Sequence, residues 1–98
     1  MKIVHSSKEK QQLIKAIMSL ETIEECKHFF EDLCSQSELE IFNLRLLIAR
    51  LLIAGHSYES IQEITGASYN TIAKIKKITN RENNQLSNVL KRVMVARD

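Results

Sequence analysis

The chain has 98 residues, a length that suits one domain and leaves little room for two. Apolar side chains make up 44% of it, proline is absent, and Gly55 and Gly66 are the only glycines. Few positions can therefore interrupt a helix, and the composition predicts an all-α fold. The net charge of +2 is unevenly spread, because residues 1–44 carry −3 and residues 45–98 carry +5. An anionic partner would meet the second half, although ordinary surface solvation explains the asymmetry equally well.

The sequence also argues against export, membrane insertion and metal binding. The opening MKIVHSSKEK lacks the apolar core of a signal peptide, and the longest apolar run, LLIARLLIAG, is interrupted by Arg50 and too short to span a bilayer. Cys26 and Cys34 are the only cysteines, and we interpret them as small buried hydrophobes in a reducing cytosol. The histidines show no zinc-ligand spacing with them. The expected location is the cytoplasm, at the nucleoid when bound to DNA.

The first two helices are predicted from amphipathic spacing and capping signals. One helix starts near Ser7, and Thr22 with Glu25 forms the capping-box signature of a second. The apolar stripe of the first helix is Leu13, Ile14, Ile17 and Met18, and that of the second is Ile23, Cys26, Phe29, Phe30 and Leu33.

The third predicted helix is apolar on nearly every side. Ser37 and Glu40 repeat the capping signature, the stretch IFNLRLLIARLLIAG follows, and Gly55 is a natural stop. A helix of this kind is buried all round, and a chain of 98 residues cannot surround it alone. We infer that a second copy of the chain covers part of this helix and of the first two. The alternative is that single apolar side chains face water, which is common.

Two short helices joined by a glycine turn are predicted next, and this is the helix-turn-helix arrangement. Ser57 caps the first, Gly66 ends it and Ser68 caps the second. The inner faces would hold Ile61 and Ile64 in the first helix and Ile72 and Ile75 in the second. A polar loop over residues 79–84 and a last helix over residues 85–96 follow. The last helix would carry Leu86, Val89, Leu90, Val93 and Met94 on one face.

The outward stripe of the second short helix suits DNA. A helical wheel places Asn70, Ala73, Lys74 and Lys77 opposite the two isoleucines, so the first turn could reach base edges in a major groove. The lysines and an arginine beyond them would neutralise phosphates. The predicted DNA-contacting set is Ser68, Tyr69, Asn70, Thr71, Lys74, Lys76, Lys77 and Arg81. The alternative is an αα-hairpin whose lysine face is merely solvated.

The stretches FFEDLCSQSELE and RLLIARLLIAGHSYESIQEITGASYNTI resemble the Trp repressor-like proteins, and within them the YerC/YecD branch. The resemblance covers about residues 10–95. It implies a six-helix intertwined homodimer whose helix-turn-helix pairs bind a palindromic operator. Residues 1–98 would form one such domain, with dimerisation helices over residues 7–54 and 85–96 and a helix-turn-helix over residues 57–79.

The same resemblance bears on ligands and phosphate contacts. Two arginines hold the tryptophan corepressor in that family, and their positions fall on Arg45 and Lys74 here. Ile75 stands where a glycine leaves room for the indole, so neither tryptophan nor a related corepressor is expected. Arg45 has an alternative role, pairing with a glutamate across the dimer. The phosphate-contacting positions of the family fall on Glu59, Gln62 and Ala73.

Taken together, the residues and the resemblance predict a homodimeric, sequence-specific DNA-binding transcriptional regulator of repressor type. Double-stranded DNA is its expected partner, with no cofactor and no membrane contact. An alternative is a helical interaction module that binds an acidic protein or RNA without operator recognition. The sequence contains no nucleophile–base pairing and no phosphate-binding loop, so an enzyme is not expected.

Overall fold

The computed structural model describes residues 6–96 of the chain. Six helices and no strand occupy this part, which agrees with the predicted all-α class. In chain order they are α1 (Ser7–Met18), α2 (Ile23–Leu33), α3 (Gln36–Ile53), α4 (Tyr58–Thr65), α5 (Tyr69–Thr79) and α6 (Gln85–Ala96). The predicted loop over residues 79–84 is one residue shorter, because Thr79 still belongs to α5.

Hydroxyl caps explain where most helices begin. Ser6, Thr22, Ser57 and Ser68 lie in extended backbone, and each side-chain oxygen accepts a hydrogen bond from the N–H three residues later. Each bond satisfies one of the otherwise unpaired donors of a first helical turn. The predicted caps at Thr22, Ser57 and Ser68 are therefore confirmed.

The start of α3 differs from the prediction. Ser35 Oγ accepts from the Glu38 N–H at 3.1 Å, and Glu38 Oε1 accepts from the Ser35 N–H at 2.8 Å. This reciprocal pair is a complete capping box. The spacing Ser-x-x-Glu occurs twice in SQSELE, and the helix begins at the first occurrence, so the prediction at Ser37 and Glu40 was wrong by two residues.

The duplicated spacing provides a matched pair of variants. Ser35→Ala should lower the free energy of unfolding by about 1 kcal/mol, because it removes the acceptor for a first-turn donor. Ser37→Ala, two residues later in the same turn, should change it by less than about 0.5 kcal/mol. Thermal unfolding followed by circular dichroism checks both values. Equal losses in the two variants would contradict the assignment of the cap.

The end of α3 follows from Gly55. This residue has φ of +94°, a left-handed conformation that glycine adopts without steric cost. The Gly55 N–H donates to the Leu52 carbonyl and the His56 N–H donates to the Leu51 carbonyl, each at 3.0 Å. This pair of bonds is a Schellman motif, as expected for a glycine just past a helix end.

The chain divides into two compact units, one ending at Leu39 and the other beginning at Glu40. Neither α1 nor α2 in the first unit contains a buried residue, and Phe29 and Phe30 make an edge contact with ring centroids 5.3 Å apart. Cys26 and Cys34 are free and only half-buried, so the prediction that they are buried was wrong for the single chain. The exposed apolar side chains of this unit are Leu13, Ile14, Ile17, Met18, Ile23 and Leu33.

The second unit holds the hydrophobic core. It draws on α3, α4, α5, α6 and the turn before α5, through Ile48, Ala49, Leu52, Ile61, Ala67, Ile72, Ile75 and Leu90. Ile64 was predicted on the inner face of α4 but is 53% exposed. The buried face of α4 follows Tyr58, Ile61 and Thr65, and Ile64 lies at its edge. On the predicted apolar face of α6, Leu90 is buried, whereas Val89 and Val93 are exposed in the single chain.

Candidate nucleic-acid interface

The turn between α4 and α5 is held by a small set of hydrogen bonds. Thr65 Oγ1 donates to the Ile61 carbonyl at 2.7 Å and accepts from the Ala67 N–H at 3.1 Å. Gly66 has φ of +75°, and its N–H donates to the Gln62 carbonyl at 2.8 Å. A Cβ at Gly66 would meet no atom within 4 Å, so the backbone conformation alone requires glycine there. The two helices therefore form a well-defined helix-turn-helix.

The helix α5 has one buried and one exposed side. Ile72 is 0% exposed and Ile75 is 6% exposed, and both belong to the core. Asn70, Lys74 and Lys77 are exposed and lie on the opposite side, which we call the outer face of α5. None of these three side chains has a hydrogen-bond or ion-pair partner among residues 6–94. The outer face is thus free to contact an external ligand.

The hydroxyl groups of Ser68, which caps α5, and of Thr71, in the first turn of α5, already make local contacts. Ser68 Oγ accepts from the Thr71 N–H at 3.2 Å and lies 3.1 Å from Thr71 Oγ1. Thr71 is half-buried. Any contact of these hydroxyls with DNA would share them with the helix cap, whereas the amide of Asn70 is unoccupied.

Tyr69, the first residue of α5, is exposed, but its ring is held by an aromatic contact. Its ring packs on that of Tyr58, the first residue of α4, with centroids 4.9 Å apart and planes at 54°. Tyr58 in turn packs against the core. The aromatic pair links the first turns of the two helices and limits the orientations of the Tyr69 phenol.

The remaining predicted phosphate contacts are divided between two places. Lys76 is half-buried and lines a groove together with Lys91 of α6, away from the outer face of α5. Arg81 is exposed in the loop after α5, where its carbonyl accepts from Asn84 Nδ2 at 2.8 Å. The helical wheel already leaves Lys76 off the outward stripe, and Lys76 was added to the predicted phosphate contacts because of its charge.

The residues aligned with the corepressor site lie on two helices of the second unit. Arg45 is exposed on α3 and Lys74 is exposed on α5. The side chain of Ile75, at the family's glycine position, is buried in the core. Neither Arg45 nor Lys74 makes an ion pair with a carboxylate of the described residues.

The outward side of α4 is acidic. Glu59 and Glu63 line an open groove with Ser57, Ser60 and Gln62, and both carboxylates are exposed. Glu59 stands in the first turn of α4, where a carboxylate is favourable to the helix dipole. The same charge repels a DNA phosphate that approaches this end of the helix.

Removing the Glu59 charge should therefore have opposite effects on stability and DNA binding. Glu59→Gln is expected to raise duplex affinity about threefold at low salt and to lower the free energy of unfolding by less than about 1 kcal/mol. Fluorescence anisotropy with a labelled duplex and thermal unfolding measure the two effects. Glu24→Gln, which neutralises an equivalent first-turn carboxylate of α2, serves as control. An equal gain in affinity for the control would assign the effect to net charge alone.

Residues 6–94 contain no group of three or more histidine, cysteine or acidic side chains that could hold a metal ion, and His5 lies outside the described residues. Of the helices described here, none is long and apolar enough to cross a membrane.

Comparison with known proteins agrees with the helix-turn-helix geometry. The family model described as Trp repressor protein matches residues 8–94, and the chain belongs to this family. It is 42% identical over 86 residues to the uncharacterized protein YerC of Bacillus subtilis (strain 168), covering 88% of this chain and 83% of that protein. The fold also matches the crystal structure of a TrpR-like protein from Eubacterium eligens ATCC 27750, with a TM-score of 0.82, 30% identity and full coverage of both chains.

Proposed function

We propose that the chain acts as a homodimer that binds double-stranded DNA sequence-specifically and regulates transcription. The observation that carries this proposal is the two-sided α5, anchored by Ile72 and Ile75 and presenting the unpaired outer face of Asn70, Lys74 and Lys77. Membership in the Trp repressor family supports the same function. We propose no catalytic activity, since this family is regulatory.

The outer face supplies two kinds of contact. Asn70 carries an amide that can pair with both N6 and N7 of adenine in the major groove. Lys74 and Lys77 are point charges that neutralise backbone phosphates and release counterions. Tyr69, held by Tyr58, lies at the end of α5 that would enter the groove. Base reading is therefore assigned to the first turn and phosphate contact to the second and third.

Exposed apolar side chains support the homodimer. Ile41, Phe42 and Leu46 are exposed in the first two thirds of α3, and α1 and α2 also expose apolar residues. Water-soluble monomers rarely expose this many large apolar side chains, and each unit contributes several of them. A second copy would bury it and would also supply the second recognition helix that a palindromic operator requires.

The proposal includes no tryptophan-like corepressor. Ile75 fills the position where the family's glycine leaves room for an indole, and its side chain is packed in the core. Lys74 can attract a carboxylate but cannot hold it in the planar, bidentate manner of arginine. The dimer would then be competent without tryptophan, or be controlled by a different signal.

Selection of preferred duplexes from a random pool tests this function. We expect a palindromic consensus and an affinity that falls steeply with salt. If the two lysines of each outer face contact phosphate, four contacts per dimer give a slope of log K against log salt near about −4. Weak binding without sequence preference would instead favour the interaction module that binds an acidic protein or RNA.

A further inference from the structure

Tyr58 and Tyr69 are the two tyrosines of the chain, and each is the first residue of one helix of the helix-turn-helix. Their rings pack together with centroids 4.9 Å apart and planes at 54°. Tyr69 belongs to the DNA-contacting set predicted from the sequence, whereas Tyr58 does not. The contact therefore connects a residue outside the predicted interface to one inside it.

The backbone that carries both rings is fixed by hydrogen bonds. The serine caps before α4 and α5 accept from first-turn N–H groups at 3.1 Å and 3.2 Å. Between the helices, Thr65 Oγ1 donates to the Ile61 carbonyl at 2.7 Å. With the backbone held, the position of the Tyr69 phenol depends on its side-chain torsions, and the neighbouring ring of Tyr58 restricts them.

The two rings differ in burial. Tyr58 is half-buried and packs against the core, so its own ring is anchored. Tyr69 is 59% exposed and precedes the exposed Asn70 in the chain. Because helical side chains tilt toward the N-terminus, the Tyr69 ring lies at the end of α5 that would enter a major groove. A ring that is already held on one side loses little rotational freedom when its open side binds a ligand.

Thymine is the base that such a ring recognises best. In the major groove it alone of the four bases presents a C5-methyl group, and apolar side chains contact that methyl. An aromatic ring offers a large apolar surface for this contact. Asn70 is suited to adenine, so both exposed residues at the start of α5 favour A·T pairs.

We propose that Tyr58 is a positioning residue that holds the Tyr69 ring against the methyl group of one thymine in each half-site of the operator. Tyr69 makes the contact with the base, and Tyr58 acts through Tyr69. The inference rests on the proposed DNA-binding function and extends it, because it names a base that is read and the residue that orients its reader.

Removing single thymine methyl groups from the duplex tests this contact. In the duplex preferred by the full-length protein, each thymine is replaced in turn by deoxyuridine at the matching position of both half-sites, and fluorescence anisotropy measures the affinities. At one position we expect wild-type binding to weaken about fifteenfold, or about fourfold per half-site, because each methyl loses its apolar contact. The ratio of the thymine to the uracil affinity is called the methyl ratio. A general loss of folded protein cancels in this ratio.

Four variants assign the methyl ratio to the two rings. Tyr69→Phe keeps the ring and should keep the ratio, whereas Tyr69→Ala should bind both duplexes equally. Tyr58→Phe keeps the aromatic contact and the ratio, whereas Tyr58→Leu keeps only apolar packing on the core, and its ratio should fall below about threefold. Lys77→Ala is the control, since loss of a phosphate contact should weaken binding to both duplexes and leave the ratio unchanged. Circular dichroism confirms that each variant is folded.

Three kinds of result would overturn the inference. An undiminished methyl ratio in Tyr69→Ala or in Tyr58→Leu would show that the ring pair does not read the methyl. A loss in Tyr69→Phe as large as that in Tyr69→Ala would assign the contact to the hydroxyl instead. A preferred duplex that tolerates deoxyuridine at every position would overturn this inference and leave the proposed function standing, whereas the lack of any preferred duplex would overturn both.

Discussion

Replacing Lys74 and Lys77 together by alanine is expected to weaken binding to the selected duplex about a hundredfold. The proposed homodimer would lose four outer-face charges in this variant, and each phosphate contact adds about one to the slope of log K against log salt. Because both side chains are exposed and unpaired, the fold should be unaffected. Anisotropy titrations at several salt concentrations measure the affinity and the slope, and circular dichroism reports the helix content.

Lys8→Ala combined with Lys10→Ala is the matched control for this variant. Both lysines are exposed on α1, so the control removes the same charge from a different helix. We expect it to keep the affinity within about threefold, since distant exposed charges are largely screened. If both double variants lose affinity equally, net charge rather than the outer face of α5 governs binding. If neither double variant loses affinity, DNA contacts a surface other than the outer face of α5.

Leu46→Glu is expected to convert the protein from dimer to monomer at micromolar concentration. Leu46 is exposed in the single chain, and in the proposed dimer its burial would contribute about 1.5–3 kcal/mol per copy. Losing it twice, with two carboxylates added to an apolar interface, should raise the dimer dissociation constant at least about a hundredfold. Sedimentation velocity measures the change, and operator affinity should fall with it.

Ile64→Glu controls for the addition of a charge to an exposed isoleucine. Ile64 lies on α4, outside the proposed dimerisation helices, and the variant should remain a dimer. A Leu46→Glu protein that still sediments as a dimer would show that α3 does not form the interface. Dissociation of both variants would point to a different interface that includes α4.

Local signals made most of the helix boundaries predictable. The caps at Thr22, Ser57 and Ser68 and the stops at Gly55 and Gly66 each depend on a side chain or a φ angle within a few residues. The start of α3 was missed because SQSELE offers the same spacing twice, and spacing alone does not rank the two. Local capping and turn signals were therefore enough to predict the order of the helices, but they left the start of α3 ambiguous.

The properties that depend on tertiary packing were harder to predict. Ile64 has the spacing of a core residue, but α4 buries the neighbouring face and leaves it exposed. Lys76 was grouped with the outer lysines by charge, and only the tertiary structure shows that it lines a groove together with Lys91 of α6. The outer face was found because a 100° wheel needs only helix geometry.

In the proposed homodimer, two copies of the chain hold two α5 helices at a separation that fits successive major grooves. Affinity for palindromic duplexes whose half-sites are moved apart in steps of single base pairs tests it most directly. We predict the tightest binding at centre-to-centre spacings near one helical turn, about 10 base pairs, and a loss of at least about a hundredfold when half a turn is added. Affinity that does not vary with spacing, or one bound chain per duplex at saturation, would contradict it.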